Sequence, residues 1–312
     1  MIFSTNRRSF LIKSTQATVG AALVSSGSAK ANAERMTFGF STYGMKTMKT
    51  EDAIRTLDQI GYDSVEINIW NGWDADPKKL SQKRRAAIRK TLSDTGLILS
   101  SFMGVLKSTD KAADRQKVKD HIKQAAELGR EFAPGATPML QSTLSGKKWE
   151  AMKEHYLKLI DEWADVAEQE KIIVAIKPHR GGALSRPSEA AWLLNKVGNP
   201  KSIRMCYDYS HYDFRDMTLE QTIKDALPIT AHIAIKEAVM KDGKVGFVNP
   251  GMGGRTDFAK LLRLFHEGGY RGDVCCEVSG MVWNKKGYDP VASAKQCYAS
   301  IAPKFKEAGL KR

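Results

Sequence analysis

The sequence lacks the features that would assign it at a glance. Its four cysteines, Cys206, Cys275, Cys276 and Cys297, include no Cys-x-x-Cys pair, so neither a redox dithiol nor a zinc ribbon is spelled out. Cys275 and Cys276 are adjacent and point to opposite faces of a strand, and all four are expected as free, mostly buried thiols. The longest apolar run near the start, 17–24, is too short to span a bilayer, which argues against stable membrane insertion. No Gly-rich turn follows the first candidate strand: "FGFSTYGMKT" is not a dinucleotide-binding turn, which disfavours an open doubly wound sheet. Lys and Arg outnumber Asp and Glu by 49 to 35, for a net charge of +14. The basic residues are scattered, however, with no RNA- or DNA-type motif among them, so no nucleic-acid partner is expected. No linker, repeat or low-complexity segment interrupts the chain.

Acidic residues are also missing from the first 33 positions. That segment carries Arg7, Arg8, Lys13 and Lys30, the twin-arginine pattern "NRRSFLIK" at 6–13, the apolar run, and small residues ending "ANA" at 31–33. This is the pattern of a twin-arginine export signal with an A-x-A cleavage site. The expectation is a signal over 1–33 and one domain over 34–312, exported to the periplasm or beyond the cytoplasm. Removing four basic residues takes the net charge from +14 to +10, still enough to attract anions. An acidic glycan or a negatively charged surface is the natural partner there.

What is present is an alternation. Short apolar runs at 37–43, 63–69, 97–103, 137–143, 172–178, 203–209, 230–236 and 273–278 are separated by amphipathic stretches. In 50–60, Ala53, Ile54, Leu57 and Ile60 share a helical face, with Thr50 as a candidate N-cap. Similar stretches run over 149–168 and 258–266. Eight strands, each followed by a helix, predict a single (β/α)8 TIM barrel. Chemistry in such a barrel sits at the C-terminal strand ends. The polar residues there are Glu66; Gln141 and Ser142; Lys177, His179 and Arg180; Asp208 and His211; His232, Lys236 and Glu237; and Glu277. Polar groups inside strands are costly unless paired, so several of these are expected to converge on one pocket.

Those positions carry a resemblance. "GYDSVEI" at the second strand, "DYSH" at the sixth and "GYRGDVCCEVS" at the eighth stand in the order and placement of the sugar phosphate isomerase/epimerase family, the xylose isomerase-like TIM barrels. The resemblance spans nearly all of 34–312. It implies a carbohydrate or polyol substrate and, in many members, a divalent metal (Mn, Mg, Co or Zn) held by Glu, Asp, His and Glu from strands 5 to 8. Asp208 and Glu277 fall on two ligand positions. Lys177 falls on the strand-5 Glu and Ala234 on the strand-7 His. His211 matches a substrate-contacting His and Glu66 a polar contact from strand 2.

The lysine sets the question. The simplest expectation puts the Lys177 ammonium where a metal would be, paired with Asp208 and Glu277; unit charges about 4 Å apart interact by about 4 kcal/mol at an effective dielectric of 20. A Schiff-base lysine needs a neutral amine, which two carboxylates oppose. A third arrangement shifts the metal, with His179 or His232 as its nitrogen ligand beside Asp208 and Glu277.

If the protein is an enzyme, the resemblance implies proton transfer next to a carbonyl through an enediolate. Glu277 is then base or acid, Lys177 with Lys236 stabilises the enediolate, and His211 orients a hydroxyl. His179, Arg180, Glu66, His232 and Trp70 complete the candidate substrate contacts. A non-catalytic sugar-binding barrel is the alternative. The metal-dependent endonuclease branch of the superfamily needs a ligand cluster that this chain cannot assemble. Three loops hold further candidates: "IWNGW" with Trp70 and Trp73 for stacking on a sugar, "NPGMGGRTD" with Arg255 for phosphate, and "MVWNKKGYD" with Trp283 and Tyr288 as a cover.

Overall fold

The computed structural model describes residues 35–312, so the expected export signal lies outside the described residues. The chain begins with β1 (Thr37–Ser41), α1 (Thr50–Ile60), β2 (Ser64–Asn68), α2 (Gln82–Thr95) and β3 (Ile98–Met103). It continues with α3 (Ala112–Phe132), β4 (Met139–Thr143), α4 (Trp149–Gln169), β5 (Ile173–Lys177), α5 (Pro187–Lys196), β6 (Ile203–Tyr207), α6 (Leu219–Ala226) and β7 (Thr230–Ile235). A hairpin follows, β8 (Glu237–Lys241) and β9 (Lys244–Val248). Then come α7 (Phe258–Glu267), β10 (Asp273–Cys276), the single turn α8 (Gly280–Trp283) and α9 (Pro290–Glu307).

Strands β1 to β7 and β10 close into a parallel barrel in the order β1-β10-β7-β6-β5-β4-β3-β2. This is the (β/α)8 TIM barrel expected from the alternation. Each of the eight expected runs contains one barrel strand. The hairpin was not anticipated.

Alternation of side chains across the strands sets up two environments. Outward residues such as Phe38, Phe40, Val65, Phe102, Leu140, Val174, Ile233 and Val274 pack under the helices in one apolar core with Ile54, Trp163, Phe265 and Phe305. Helix α1 contributes Ala53, Ile54 and Leu57, the face read from the sequence. Its start differs by one residue from the expectation. Thr50 opens the helix, and its N–H and hydroxyl both donate to Asp74 Oδ2 at 2.8 Å, so the aspartate does the capping.

The barrel interior is polar along much of its length. At its N-terminal end Thr37 and Ser64 donate to Asp273. Gly39 makes room there: a Cβ on it would lie 2.9 Å from Asp273 Oδ2 and closer still to the Ser64 hydroxyl. Further along come Glu66, Ser101, His232 and Cys275, beside a small patch of Ala175, Cys206 and Ala234. At the C-terminal ends stand Lys177, Asp208, Lys236 and Glu277.

Candidate active site

Lys177 ends β5, Asp208 follows β6, Lys236 follows β7 and Glu277 follows β10. All four are buried, and they close into a ring of alternating charge. The Lys177 ammonium donates to Glu277 Oε2 and lies 3.8 Å from Asp208 Oδ2. The Lys236 ammonium donates to Asp208 Oδ2, and to Glu277 Oε1 at 2.7 Å. Asp208 Oδ1 takes the Ser210 hydroxyl at 2.6 Å and the Ser210 N–H at 3.2 Å.

Two positive and two negative charges balance, which is how so much charge is tolerated out of water. Burial works against the charges of Lys177, Asp208 and Glu277, but their partners win. Against burial, Lys177 and Lys236 pull Glu277 down to about 2 and hold Asp208 below its usual value. Burial also opposes the charge on Lys177, yet Glu277, with Asp208 and Glu66 helping, raises it well above the usual lysine range. That direction is opposite to what a Schiff-base lysine needs.

Of the four positions that the resemblance gives to metal ligands, two therefore carry carboxylates whose oxygens are taken by ammonium groups. The third is Lys177 itself. The fourth, Ala234, packs against Ala175 and Cys206 and offers no donor atom. A dication about 4 Å from an ammonium is opposed by about 8 kcal/mol at an effective dielectric of 20.

The ring has two walls. On one side the rings of His179 and His211 meet with centroids 3.9 Å apart, and Phe247 of β9 packs edge-on to His211 at 5.5 Å. Phe247 also lies beneath the Lys236 ammonium at 5.6 Å. His179 Nδ1 accepts the Gly181 N–H at 3.1 Å, which leaves the ring proton on Nε2. Burial, then Lys236 and Lys177, push His179 down to about 4, and burial pushes His211 well below its usual value. Both imidazoles are neutral near pH 7. His211 Nε2 lies 3.4 Å from Asp208 Oδ2, and neither of its ring nitrogens has a hydrogen-bond partner among the described residues. A substrate hydroxyl would supply one. Arg180 donates to the backbone carbonyl of buried Asp213.

On the other side Tyr43, Trp70, Trp73 and Trp283 pack together. Tyr43 stacks on Trp73 at 5.6 Å, and Trp70 and Trp283 meet Tyr43 at 5.3 Å each. Tyr43 follows β1, whose Phe40 pairs with Cys276 just ahead of Glu277, and burial and then the Glu277 carboxylate raise the tyrosine hydroxyl's pKa. The indole N–H groups of Trp70 and Trp73 are buried with no acceptor among the described residues. Lys46 lies over the Trp73 ring at 4.4 Å.

The remaining sequence candidates lie elsewhere. Glu66 and His232 sit deeper in the barrel, with His232 Nε2 3.4 Å from Glu66 Oε2, so His232 faces neither Asp208 nor Glu277 as a shifted ligand would. The Gly-rich loop is engaged by the protein itself. Glu237, fully buried, accepts the N–H groups of Gly253, Arg255 and Thr256 at 2.7, 2.8 and 3.1 Å. Arg255 Nε donates to Asp213 at 2.8 Å. The sequence reading missed Tyr43, Phe247 and Asp213. Tyr43 follows the first strand and so stood at a strand end; Phe247 is brought in by the unanticipated hairpin.

The closed parallel barrel is a (β/α)8 TIM barrel, with its polar, charge-balanced cluster at the C-terminal strand ends. Residues 54–297 match the xylose isomerase-like TIM barrel family, and the chain belongs to that family. It is 25% identical over 255 residues to the Homo sapiens protein "Putative hydroxypyruvate isomerase", covering 76% of this chain and 88% of that one. Solved structures share the fold. A 3-keto-D-glucoside 4-epimerase from E. coli superposes with a TM-score of 0.67 at 16% identity, over 86% of this chain and 100% of the other. A xylose isomerase-like TIM barrel/4-hydroxyphenylpyruvate dioxygenase fusion protein gives 0.66 at 14% identity over 88% of this chain, which spans 43% of the fusion's length.

Proposed function

We propose that the protein is an exported isomerase/epimerase-like enzyme that moves a proton next to the carbonyl of a carbohydrate or polyol, with two ammonium groups at the mouth in place of the family's metal. One observation carries this reading: Lys177 and Lys236 both bind Asp208 and Glu277 at the strand ends. Two fixed cations beside one another suit an enediolate, whose negative charge spreads over two neighbouring oxygens. The ring as it stands is a resting arrangement. A carboxylate held at about 2 is a poor base. A substrate oxygen that takes over an ammonium N–H frees Glu277 from that partner, so its basicity rises when substrate is bound. His211 and the Nε2–H of His179 then orient or protonate the oxygens, and the indole wall covers the apolar face of the sugar. The names of the relatives, a hydroxypyruvate isomerase and a keto-glucoside epimerase, fit α-hydroxycarbonyl chemistry. The twin-arginine pattern supports export of the folded chain.

The test is deuterium wash-in. A panel of ketoses, keto-glycosides and hydroxypyruvate is incubated with the protein in D2O and followed by NMR. The expected result is exchange at the carbon next to the carbonyl, lost in Glu277→Gln. Saturable binding without exchange for any compound would favour the sugar-binding alternative, which the low basicity of Glu277 supports. N-terminal sequencing of the protein from the culture medium or periplasm tests export.

A further inference from the structure

We propose that Glu66, His232 and Cys275 form a buried site for a thiophilic divalent cation of the zinc class, in the barrel interior beneath the charged ring. The site shares no residue with the chemistry proposed at the mouth.

The three residues converge from β2, β7 and β10. Cys275 pairs with Ala234 across β10 and β7, and His232 lies two residues earlier on the same inward face. One ligand atom from each of the three lies within 4.8 Å of the others. A carboxylate oxygen, an imidazole nitrogen and a thiolate are the donor types that zinc selects. The spacing also fits. Bonds of about 2.0–2.2 Å at tetrahedral angles place neighbouring ligand atoms about 3.3–3.5 Å apart, and His232 Nε2 is 3.4 Å from Glu66 Oε2. A direct imidazolium–carboxylate hydrogen bond would close to about 2.7–2.9 Å.

Unsatisfied atoms point the same way. Glu66 Oε1 and His232 Nδ1 are buried with no partner among the described residues. With Glu66 Oε2 and His232 Nε2 given to the metal, Oε1 is free for a second bond to it and Nδ1–H for an outer carboxylate. Outer partners are in place. The Ser101 hydroxyl donates to Glu66 Oε2 at 2.7 Å and lies 3.4 Å from His232 Nε2, where it or a water can complete the shell. Asp273 keeps one buried oxygen unpartnered, and the pairing of Val274 with Ile233 sets Asp273 beside His232 in the β10–β7 register. An imidazole that gives one nitrogen to a metal and the other N–H to a carboxylate is the usual second shell of a zinc site.

Charge closes as well. A dication with the Glu66 carboxylate, a Cys275 thiolate and a neutral His232 sums to zero, which suits a dry interior. On binding, the Cys275 thiol gives up its proton to solvent and the S–H bond is replaced by S–metal, with no oxidation.

The experiment is metal content of the purified full chain by plasma mass spectrometry after dialysis, for the wild type, Cys275→Ser, His232→Gln and Glu277→Gln. Near-stoichiometric zinc is expected in the wild type and in Glu277→Gln, with a drop on the order of 10-fold or more in Cys275→Ser and His232→Gln. Asp273→Asn should weaken retention by about 10-fold. Cobalt exchange in the wild type gives a second readout if the variants fold poorly, because a Cys ligand produces a sulfur-to-cobalt charge-transfer band. A wild type without zinc that also shows no such band with cobalt would overturn the site while leaving the proposed function standing. Metal that survives both Cys275→Ser and His232→Gln but leaves with Glu277→Gln would overturn the site and the metal-free mouth together.

Discussion

Lys177 shares its two carboxylates with Lys236, so removing one charge from the ring strands another. Lys177→Met would leave Asp208 and Glu277 buried with a single ammonium between them. Breaking a buried pair in this way costs about 3–5 kcal/mol. Adding Glu277→Gln restores one cation to one anion. The double variant is therefore expected to be more stable than Lys177→Met alone by at least about 1 kcal/mol, a non-additivity that urea unfolding measures. A double variant less stable than the single one would mean that the two groups do not pair. At this scale the sequence was legible where position along a strand decided the answer. Lys177, Asp208 and Glu277 stood at strand ends and meet there. It was not legible where depth decided. His232, Ala234 and Lys236 share one face, and the two outer residues stand about 13 Å apart at 3.3 Å per residue. One therefore joins the mouth while the other joins Glu66 in the interior.

The hairpin is the element that the sequence reading passed over, although its turn is written plainly. Asp242 and Gly243 have φ of 51° and 70°, the left-handed pair that an Asp-Gly hairpin turn requires. The strand-7 run simply continued into "EAVMKDGKVGFV" with too little apolar character to stand out. Its fold has two consequences. β9 carries Phe247 to the imidazole wall, and β8 begins with Glu237, whose carboxylate fills the cradle of the Gly-rich loop. The loop was a candidate for phosphate, with a flexible turn as the other reading; the protein's own carboxylate takes its N–H groups. Gly253 is required for this, because a Cβ would lie 2.8 Å from Glu237 Cδ. Glu237→Ala is expected to leave three backbone donors without their acceptor, to cost about 1–3 kcal/mol, and to open 249–257 to proteases. Limited proteolysis against the wild type reads this directly, and unchanged cleavage would show that the loop is held by other contacts. Inorganic phosphate should protect the Glu237→Ala loop and have no effect on the wild type.

Over the whole molecule, the interior of this barrel is polar along much of its length, and its stability must depend on pH in a set order. His179 is held at about 4 and His211 well below its usual value, both first by burial. In the unfolded chain both titrate near 6.5. As the pH falls below about 6.5, the unfolded state gains protons that the native state refuses, so stability falls with pH. Glu277 acts lower down. Its folded value of about 2 lies below the unfolded one, so its contribution is full above about 4.3 and is lost as the pH falls toward 2. The midpoint of thermal unfolding is therefore expected to hold between about pH 7 and 8, below the point where unfolded thiols ionise, and to decline from about 6.5 downward in two overlapping stages. His179→Asn separates them: an amide cannot take the proton, so the decline between about 6.5 and 4 should become shallower while the loss below 4 stays. If the slope between 6.5 and 4 is the same in His179→Asn and wild type, the imidazole is not being kept neutral by its burial and the two lysines. The wall built on its Nε2 proton would then have to be redrawn.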